Sequence, residues 1–280
     1  MQVEPDASAI AGDVLLPSDT RSPVFIGGQR RSGTTLLRIM LNRHPHIACG
    51  RESHFAKRLL NWHDRLADEW SDTVRRYGSG TEAVDRAFAA LVDDVFTGIQ
   101  LAQGKQRWAE KTPANIINID YLFRLFPKAQ FVHMIRDPRD TYRSIRDRAQ
   151  KDRPNWAQFT AAEAARDWRA AVEAGMRWRQ APARYLEVRY EDLAREPART
   201  MRRVLEFLNE PWDARVFAID ANGPAATPQH GPVFTTSIGR WRTGLSEMEV
   251  ATIQSVVGEL MVELGYELAA IAPVPVEQAG

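Results

Sequence analysis

The chain has 280 residues, of which 44% are hydrophobic and 26% charged, and its formal net charge is +1. A chain of this length and composition can bury a full core as one large globular domain or two small ones. The near-zero net charge argues against nucleic-acid binding, which requires a concentrated basic surface.

The remaining bulk features concern disulfides, membranes and targeting. The single cysteine, Cys49, excludes an internal disulfide framework and a multi-cysteine metal site. No segment has the apolar length that a membrane span requires, and the start of the chain, MQVEPDASAIAGD, lacks the order of a signal peptide. We therefore expect a cytoplasmic protein with one domain at 21–268 and flexible tails at 1–20 and 269–280.

Short apolar runs alternate with helical patterns along the chain. The runs PVFIGG, AQFVHMIRDP and RYLEVRYEDL, which begin at residues 23, 129 and 184, predict strands that are each followed by a helix. Residues 52–103 and 156–179 have mostly helical patterns, and residues 253–264 form an amphipathic helix face. Such alternation indicates βαβ units around a parallel sheet, so we predict one α/β domain with helical insertions.

The segment FIGGQRRSGTT, residues 25–35, has the order of a phosphate-binding loop but carries Thr34 where a P-loop has lysine. A turn between a strand and a helix presents free N–H groups and a helix dipole to an anion, and Ser32, Thr34 and Thr35 add hydroxyl donors. Without the lysine, a magnesium-bound polyphosphate is a poor ligand, whereas the loop arginines suit a phosphate or sulfate group. A Gly/Ser/Thr-rich turn without a ligand is the alternative.

Two elements of the chain resemble a known family. RSGTT at 31–35 and HPHIACGRES at 44–53 are similar to the phosphosulfate-binding region of sulfotransferases that use 3′-phosphoadenosine 5′-phosphosulfate (PAPS). The tyrosylprotein sulfotransferase branch, with the patterns GGxPRSGTT and CGEE, is the most similar. Here Arg30 replaces the proline, and CGEE has become CGRE. The resemblance implies a P-loop-NTPase-like parallel sheet flanked by helices. It also implies in-line transfer of a sulfuryl group to a hydroxyl, with no metal.

A second anion-binding pair follows the predicted strand at 129–138. Arg136 lies at the end of this strand, where ligands of parallel sheets collect, and Ser144 lies eight residues further on. The family holds the 3′-phosphate of its nucleotide with an arginine and a serine at this spacing. The alternative is an exposed ion pair of Arg136 with Asp137 or Asp140, which would contribute little stability.

The resemblance extends to two later segments. It implies that Tyr190, in RYEDL, lies near the adenine, and that SIGRWRTGLS at 237–246 closes over the nucleotide. Arg240 or Arg242 would then contact the 3′-phosphate. For Trp241, packing on the base and packing on protein both stay open.

Sulfuryl transfer requires alignment, stabilisation of the charge on the leaving oxygen, and a base for the acceptor proton. The resemblance implies that Arg31 stabilises the phosphosulfate. Lys111, in WAEKTP, matches the lysine of the family's NKDP and would stabilise the charge on the leaving oxygen. Glu52 would be the base, and His54 is the alternative base. His133 lies inside a strand and is interpreted as structural.

Two other functions compete with this one. A kinase or NTPase with a divergent loop would bind magnesium and ATP, and a non-catalytic relative would not need the base. The acceptor stays open among small-molecule, lipid, saccharide and peptidyl hydroxyls, as does the oligomeric state. We expect an acceptor pocket from residues 52–105 and 150–180, with Trp62, Trp70 and Trp156 as candidate lining residues.

Overall fold

The computed structural model describes residues 22–62, 65, 76, 81–152, 159–217 and 235–270. All but residues 269 and 270 of the predicted tails lie outside this part of the chain, as do Trp70 and Trp156.

The centre of the fold is a parallel β-sheet of five strands in the order β2-β3-β1-β4-β5. The strands are β1 Val24–Gly28, β2 Ile47–Cys49, β3 Arg107–Lys111, β4 Gln130–Ile135 and β5 Tyr185–Arg189. All four strand pairs are parallel, with Phe25 of the central strand opposite Glu110 on one side and Phe131 on the other. The predicted α/β class is confirmed, and the carboxyl ends of the strands meet at one edge of the sheet.

Helices connect and cover the strands. They are α1 Thr34–Arg43, α2 Thr81–Ala102, α3 Ile119–Leu125, α4 Pro138–Asp152, α5 Ala161–Met176, α6 Tyr190–Arg195, α7 Pro197–Phe207, α8 Trp241–Gly244 and α9 Glu247–Glu263. Residues 55–62 are also helical, and short 3₁₀ turns occupy Pro113–Ile116, Ala214–Phe217 and Thr235–Ser237. Capping boxes begin α5 and α9, formed by Thr160 with Glu163 and by Ser246 with Glu249.

Both faces of the sheet are buried, as expected for parallel strands. In β1, Val24 and Ile26 face a core cluster that includes residues of α1 and α7, whereas Phe25 faces a second cluster with residues of α3. A third cluster joins α4, α5 and the predicted amphipathic face of α9, which contributes Ile253 and Val257. These layers hold the strand ends in fixed positions relative to one another.

Two strands differ from the sequence prediction, which did not include β2 and β3. β2 has only three residues. β3 has the sequence RWAEK, and its three charged side chains are all buried. Among the residues that the structure describes, no helix has the length and apolar character needed to cross a membrane.

Candidate active site

The predicted site residues come together at the carboxyl edge of the sheet, and each follows a different strand. The loop with Arg31 follows β1, Glu52 follows β2, Lys111 ends β3, Arg136 follows β4 and Tyr190 follows β5. This edge is where open parallel sheets bind their ligands.

Left-handed backbone conformations shape the loop between β1 and α1. Gly28 and Gly33 have φ angles of 148° and 98°, and a Cβ atom on Gly33 would lie 2.5 Å from the ring of Tyr190. Arg31 also has a positive φ, of 68°, which is uncommon outside glycine and clusters at functional sites. The loop is therefore a constrained cradle in front of α1, whose first N–H groups lack intrahelical partners.

Hydroxyl groups line this cradle. Thr34 is buried and Thr35 is partly exposed. Ser32 is fully buried, and its Oγ finds no hydrogen-bond partner among the described residues. Since buried hydroxyls are normally paired, an unpaired one at a helix start fits an anion-binding loop.

Arg31 reaches from the loop to α4. Its Nε donates a hydrogen bond of 2.9 Å to Oγ of Ser144. Arg31 is exposed as a residue, but partial desolvation of its guanidinium and, after it, the positive charges of Arg136 and Arg148 lower its pKa. A cluster of like charges of this kind favours an anion between them.

Arg136 connects the loop after β1 with the segment that begins at Ser237. Its side chain is buried, and it donates to the carbonyl oxygens of Arg31 at 3.0 Å and Ser237 at 2.6 Å. Its guanidinium lies 4.4 Å from the ring centre of Tyr190. The alternative of an exposed ion pair is wrong: Asp137 instead binds Arg139.

Asp140 anchors the segment at 237–246, called the late loop below, and nothing in the sequence pattern predicts this role. Its carboxylate accepts hydrogen bonds from the backbone N–H groups of Gly239 at 2.6 Å and Trp241 at 3.0 Å. Burial is the main reason why the pKa of Asp140 is raised. The motif RDPRD contains this aspartate, but nothing in the sequence connects it with a segment 99 residues away.

The three predicted nucleotide-binding residues of the late loop, Arg240, Trp241 and Arg242, differ in burial and in contacts. The ring of Trp241 is buried, with the guanidinium of Arg139 at 3.9 Å and that of Arg242 at 4.5 Å. These contacts of Trp241 are with protein side chains, and its packing on the base stays a prediction. Arg240 is exposed and lies 3.6 Å from Asp147, so contact of Arg240 or Arg242 with a 3′-phosphate stays a prediction.

The candidate base and the candidate cation contact each other. The Lys111 ammonium donates a hydrogen bond to Oε1 of Glu52 and another, of 3.2 Å, to Oγ1 of Thr35 in the loop. Lys111 is almost fully buried, whereas the Glu52 side chain is 35% exposed. Nε2 of His54 lies 3.5 Å from the other carboxylate oxygen of Glu52. An acid–base group and a cation thus lie together beside the loop at 29–35, called the anion loop below.

Two titratable groups near these strands have structural roles. His133 is buried, its Nδ1 lies 2.6 Å from the Tyr185 hydroxyl, and burial lowers its pKa to about 3. Burial likewise raises the pKa of the Cys49 thiol to about 12. A thiol with this pKa is not a nucleophile near neutral pH.

A group of metal-ligating side chains lies at the opposite edge of the sheet. His44, His46 and Glu210 bring their polar atoms within 4.8 Å of one another. Nε2 of His44 lies 2.9 Å from the Pro211 carbonyl oxygen, and Glu210 contacts both His46, at 2.9 Å, and Arg107, at 3.5 Å. These internal partners, one of them a cation, make the group a structural anchor.

Comparison with known proteins gives a family and a fold. The model of the sulfotransferase family matches residues 23–214. Protein-tyrosine sulfotransferase A from Caenorhabditis elegans is 30% identical over 266 residues, which cover 87% of this chain and 67% of that protein. Protein-tyrosine sulfotransferase 1 from Danio rerio is 28% identical over 262 residues, with coverages of 87% and 72%.

Solved structures share the fold. The sulfotransferase domain of the Synechococcus PCC 7002 olefin synthase matches with a TM-score of 0.58 and 22% identity, covering 90% of this chain and 98% of that domain. Mouse sulfotransferase SULT7A1, complexed with 3′-phosphoadenosine 5′-phosphate (PAP), matches with a TM-score of 0.53 and 14% identity, covering 87% and 86%.

Proposed function

The chain belongs to the sulfotransferase family and transfers a sulfuryl group from PAPS to a hydroxyl acceptor, and we propose that this acceptor is a tyrosine hydroxyl in a peptide. The acceptor class rests on the two relatives of 30% and 28% identity, which are both named protein-tyrosine sulfotransferases. The cytoplasmic location and the roles of the individual site residues stay predictions.

The proposed roles follow from where the groups lie. The loop at 29–35 and Arg31 hold the phosphosulfate, while Arg136 and Ser144 hold the 3′-phosphate beside it. Tyr190, whose ring lies against Arg136 and Gly33, borders the adenine end.

In the reaction, Glu52 accepts the proton of the acceptor hydroxyl. The hydroxyl oxygen then forms a bond to sulfur as the bond between sulfur and the bridging phosphate oxygen breaks. Lys111 and Arg31 stabilise the negative charge that develops on that oxygen and on the sulfuryl group. PAP leaves with the electron pair of the broken bond.

One observation carries these roles: the Lys111 ammonium contacts both Glu52 and Thr35 of the anion loop. A nucleotide-binding protein without catalysis needs the loop but not a carboxylate beside the cation. A kinase needs carboxylates that hold magnesium, and Asp137, the candidate after β4, is already paired with Arg139 at 2.7 Å.

Two measurements test the proposal in turn. PAP should raise the melting temperature much more than ADP with magnesium does at the same concentration, because a ligand that binds the folded protein more tightly stabilises it more. A larger shift with ADP and magnesium would overturn the choice of donor. Labelled PAPS should then sulfate a tyrosine peptide but not its phenylalanine counterpart. Transfer to a simple phenol or a saccharide, with none to tyrosine peptides, would overturn the choice of acceptor.

A further inference from the structure

We propose that Glu110 is a positioning residue that fixes the segment carrying Glu52 relative to Lys111, an inference that rests on the proposed function. Glu110 belongs to β3, directly before Lys111, and is 1% exposed. A buried parallel strand does not require a charged side chain at this position. Its contacts lead instead to the residues after Glu52.

The Glu110 carboxylate accepts four hydrogen bonds. Oε1 accepts from the backbone N–H of Ser53 at 3.1 Å, from the Ser53 hydroxyl at 2.8 Å and from the Thr112 hydroxyl at 2.7 Å. Oε2 accepts from Nδ2 of Asn115 at 2.6 Å. Burial of a carboxylate is costly unless its oxygens are satisfied, and these four donors provide that satisfaction.

Two of the bonds act on the peptide segment next to the base. Ser53 follows Glu52 directly, so the bond to the Ser53 N–H fixes the peptide unit that joins them. Thr112 continues the network, because its Oγ1 also accepts the backbone N–H of His54 at 3.2 Å. The His54 backbone has a φ of 56°, a conformation that surrounding contacts must hold.

The backbone of the segment depends on these bonds, whereas the Glu52 carboxylate is bound by Lys111. Residues 50–54 belong to no helix or strand. The Glu52 side chain is 35% exposed, so packing does not fix it. Glu110 therefore connects this segment to the strand whose next residue supplies the cation. In the sulfotransferase element NKDP, which Lys111 and Pro113 match, the position before the lysine holds an amide rather than a carboxylate.

The contact through Asn115 extends the connection to the anion loop. Nδ2 of Asn115 also donates to the carbonyl oxygen of Ile26, at 3.2 Å, in β1 and three residues before the loop at 29–35. One buried carboxylate thus connects β1, through Asn115, with the segments that follow β2 and β3. Preorganisation of this kind raises turnover by holding the reacting groups in productive geometry.

The test uses Glu110→Ala and Ser53→Ala, with Tyr185→Phe as the matched control. The control removes a buried hydrogen bond of 2.6 Å to His133 in β4 and β5, away from Glu52. Glu110→Ala should lower kcat about 10- to 100-fold, as loss of alignment does, and leave the dissociation constant of PAP within about twofold of the wild-type value. Ser53→Ala should have a smaller effect, because its backbone N–H still reaches Glu110. The two substitutions should also be non-additive in a double-mutant cycle.

Hydrogen exchange provides a readout that needs no turnover. In Glu110→Ala the amides of Ser53 and His54 should exchange at least tenfold faster than in Tyr185→Phe at matched stability. If Glu110→Ala does not fold, Glu110→Gln, which retains one acceptor oxygen, should show the same changes at reduced size. Unchanged kcat and unchanged exchange at 53–54 in a folded variant would overturn the inference. If the wild type transfers no sulfuryl group, the proposed function fails, and the exchange comparison still decides the positioning role.

Discussion

The ammonium group of Lys111 is hydrogen-bonded to the carboxylate of Glu52, although the two residues lie 59 positions apart in the chain. The pair forms because β2 and β3 are neighbours in the sheet and both end at its carboxyl edge. The same ammonium contacts Thr35 of the anion loop. A phosphosulfate bound in the anion loop therefore contacts the same ammonium group that binds Glu52. The phosphosulfate and the Glu52 carboxylate must share the hydrogen bonds of Lys111.

Replacement of Glu52 by Gln should lower kcat by a factor of about 10² to 10⁴, the usual contribution of a general base. The amide has nearly the same shape but cannot accept a proton, so PAP affinity should stay close to that of the wild type. Steady-state kinetics with PAPS and a tyrosine peptide, together with calorimetric titration of PAP, measure both quantities.

His54→Ala is the matched variant for this prediction. Nε2 of His54 lies 3.5 Å from Glu52, and its side chain is 53% exposed, so its loss should change kcat less than tenfold. If His54→Ala abolishes turnover while Glu52→Gln retains it, the roles of the two residues are exchanged.

Arg136→Ala should weaken the binding of PAP about 10- to 100-fold, because a hydrogen bond to a charged group contributes about 1.5–3 kcal/mol. Ser144→Ala should weaken it less. Neither substitution should weaken the binding of AMP to the same degree, because AMP lacks the 3′-phosphate. Titrations of PAP and AMP against each variant give this selectivity directly.

The control for Arg136 is Arg177→Ala, which removes an exposed arginine whose ion pair with Asp120 is also exposed. Its PAP affinity should equal that of the wild type. Equal losses of PAP and AMP affinity in Arg136→Ala would mean that the arginine supports the loop, through its bonds to the Arg31 and Ser237 carbonyl groups, rather than reading the 3′-phosphate.

Gly33→Ala should destabilise the fold and weaken PAP binding. A φ of 98° is unfavourable for any residue with a Cβ atom, by about 1–2 kcal/mol, and that atom would lie 2.5 Å from the Tyr190 ring. Gly98→Ala is the control, since no atom lies within 4 Å of its added Cβ. This substitution inside α2 should stabilise the protein by about 0.5–1 kcal/mol. Urea unfolding measures the free energy of unfolding of both variants. Equal changes in that free energy for Gly33→Ala and Gly98→Ala would contradict the assigned role of Gly33.

The anion loop could be predicted from the sequence because its signal is local. A buried strand, three glycines and a helix start lie within residues 24–34, and backbone conformation depends mainly on such neighbours. The positions of Arg136 and Tyr190 followed for the same reason, since each comes directly after an apolar strand.

The parts that could not be predicted depend on partners far along the chain. The strand β3 carries Arg107, Glu110 and Lys111, and its pattern is not that of a buried strand. These charges are buried because distant groups satisfy them, such as the Leu208 carbonyl oxygen at 2.6 Å from Arg107 and Ser53 at Glu110. The anchoring of the late loop by Asp140 was missed for the same reason.

His133 makes the stability of the protein depend on pH. Burial lowers its pKa to about 3 in the folded state, whereas an unfolded histidine titrates near 6.5. Between these values the unfolded chain binds the extra proton, so stability is complete above about pH 6.5 and falls as the pH decreases. From pH 7 to pH 5 this group alone should lower the free energy of unfolding by about 2 kcal/mol. In His133→Asn, which keeps a polar atom near the Tyr185 hydroxyl, the corresponding loss should be smaller by about this amount. Urea titrations of both proteins at several pH values give the two slopes, and parallel slopes would show that His133 is not protonated on unfolding in this range.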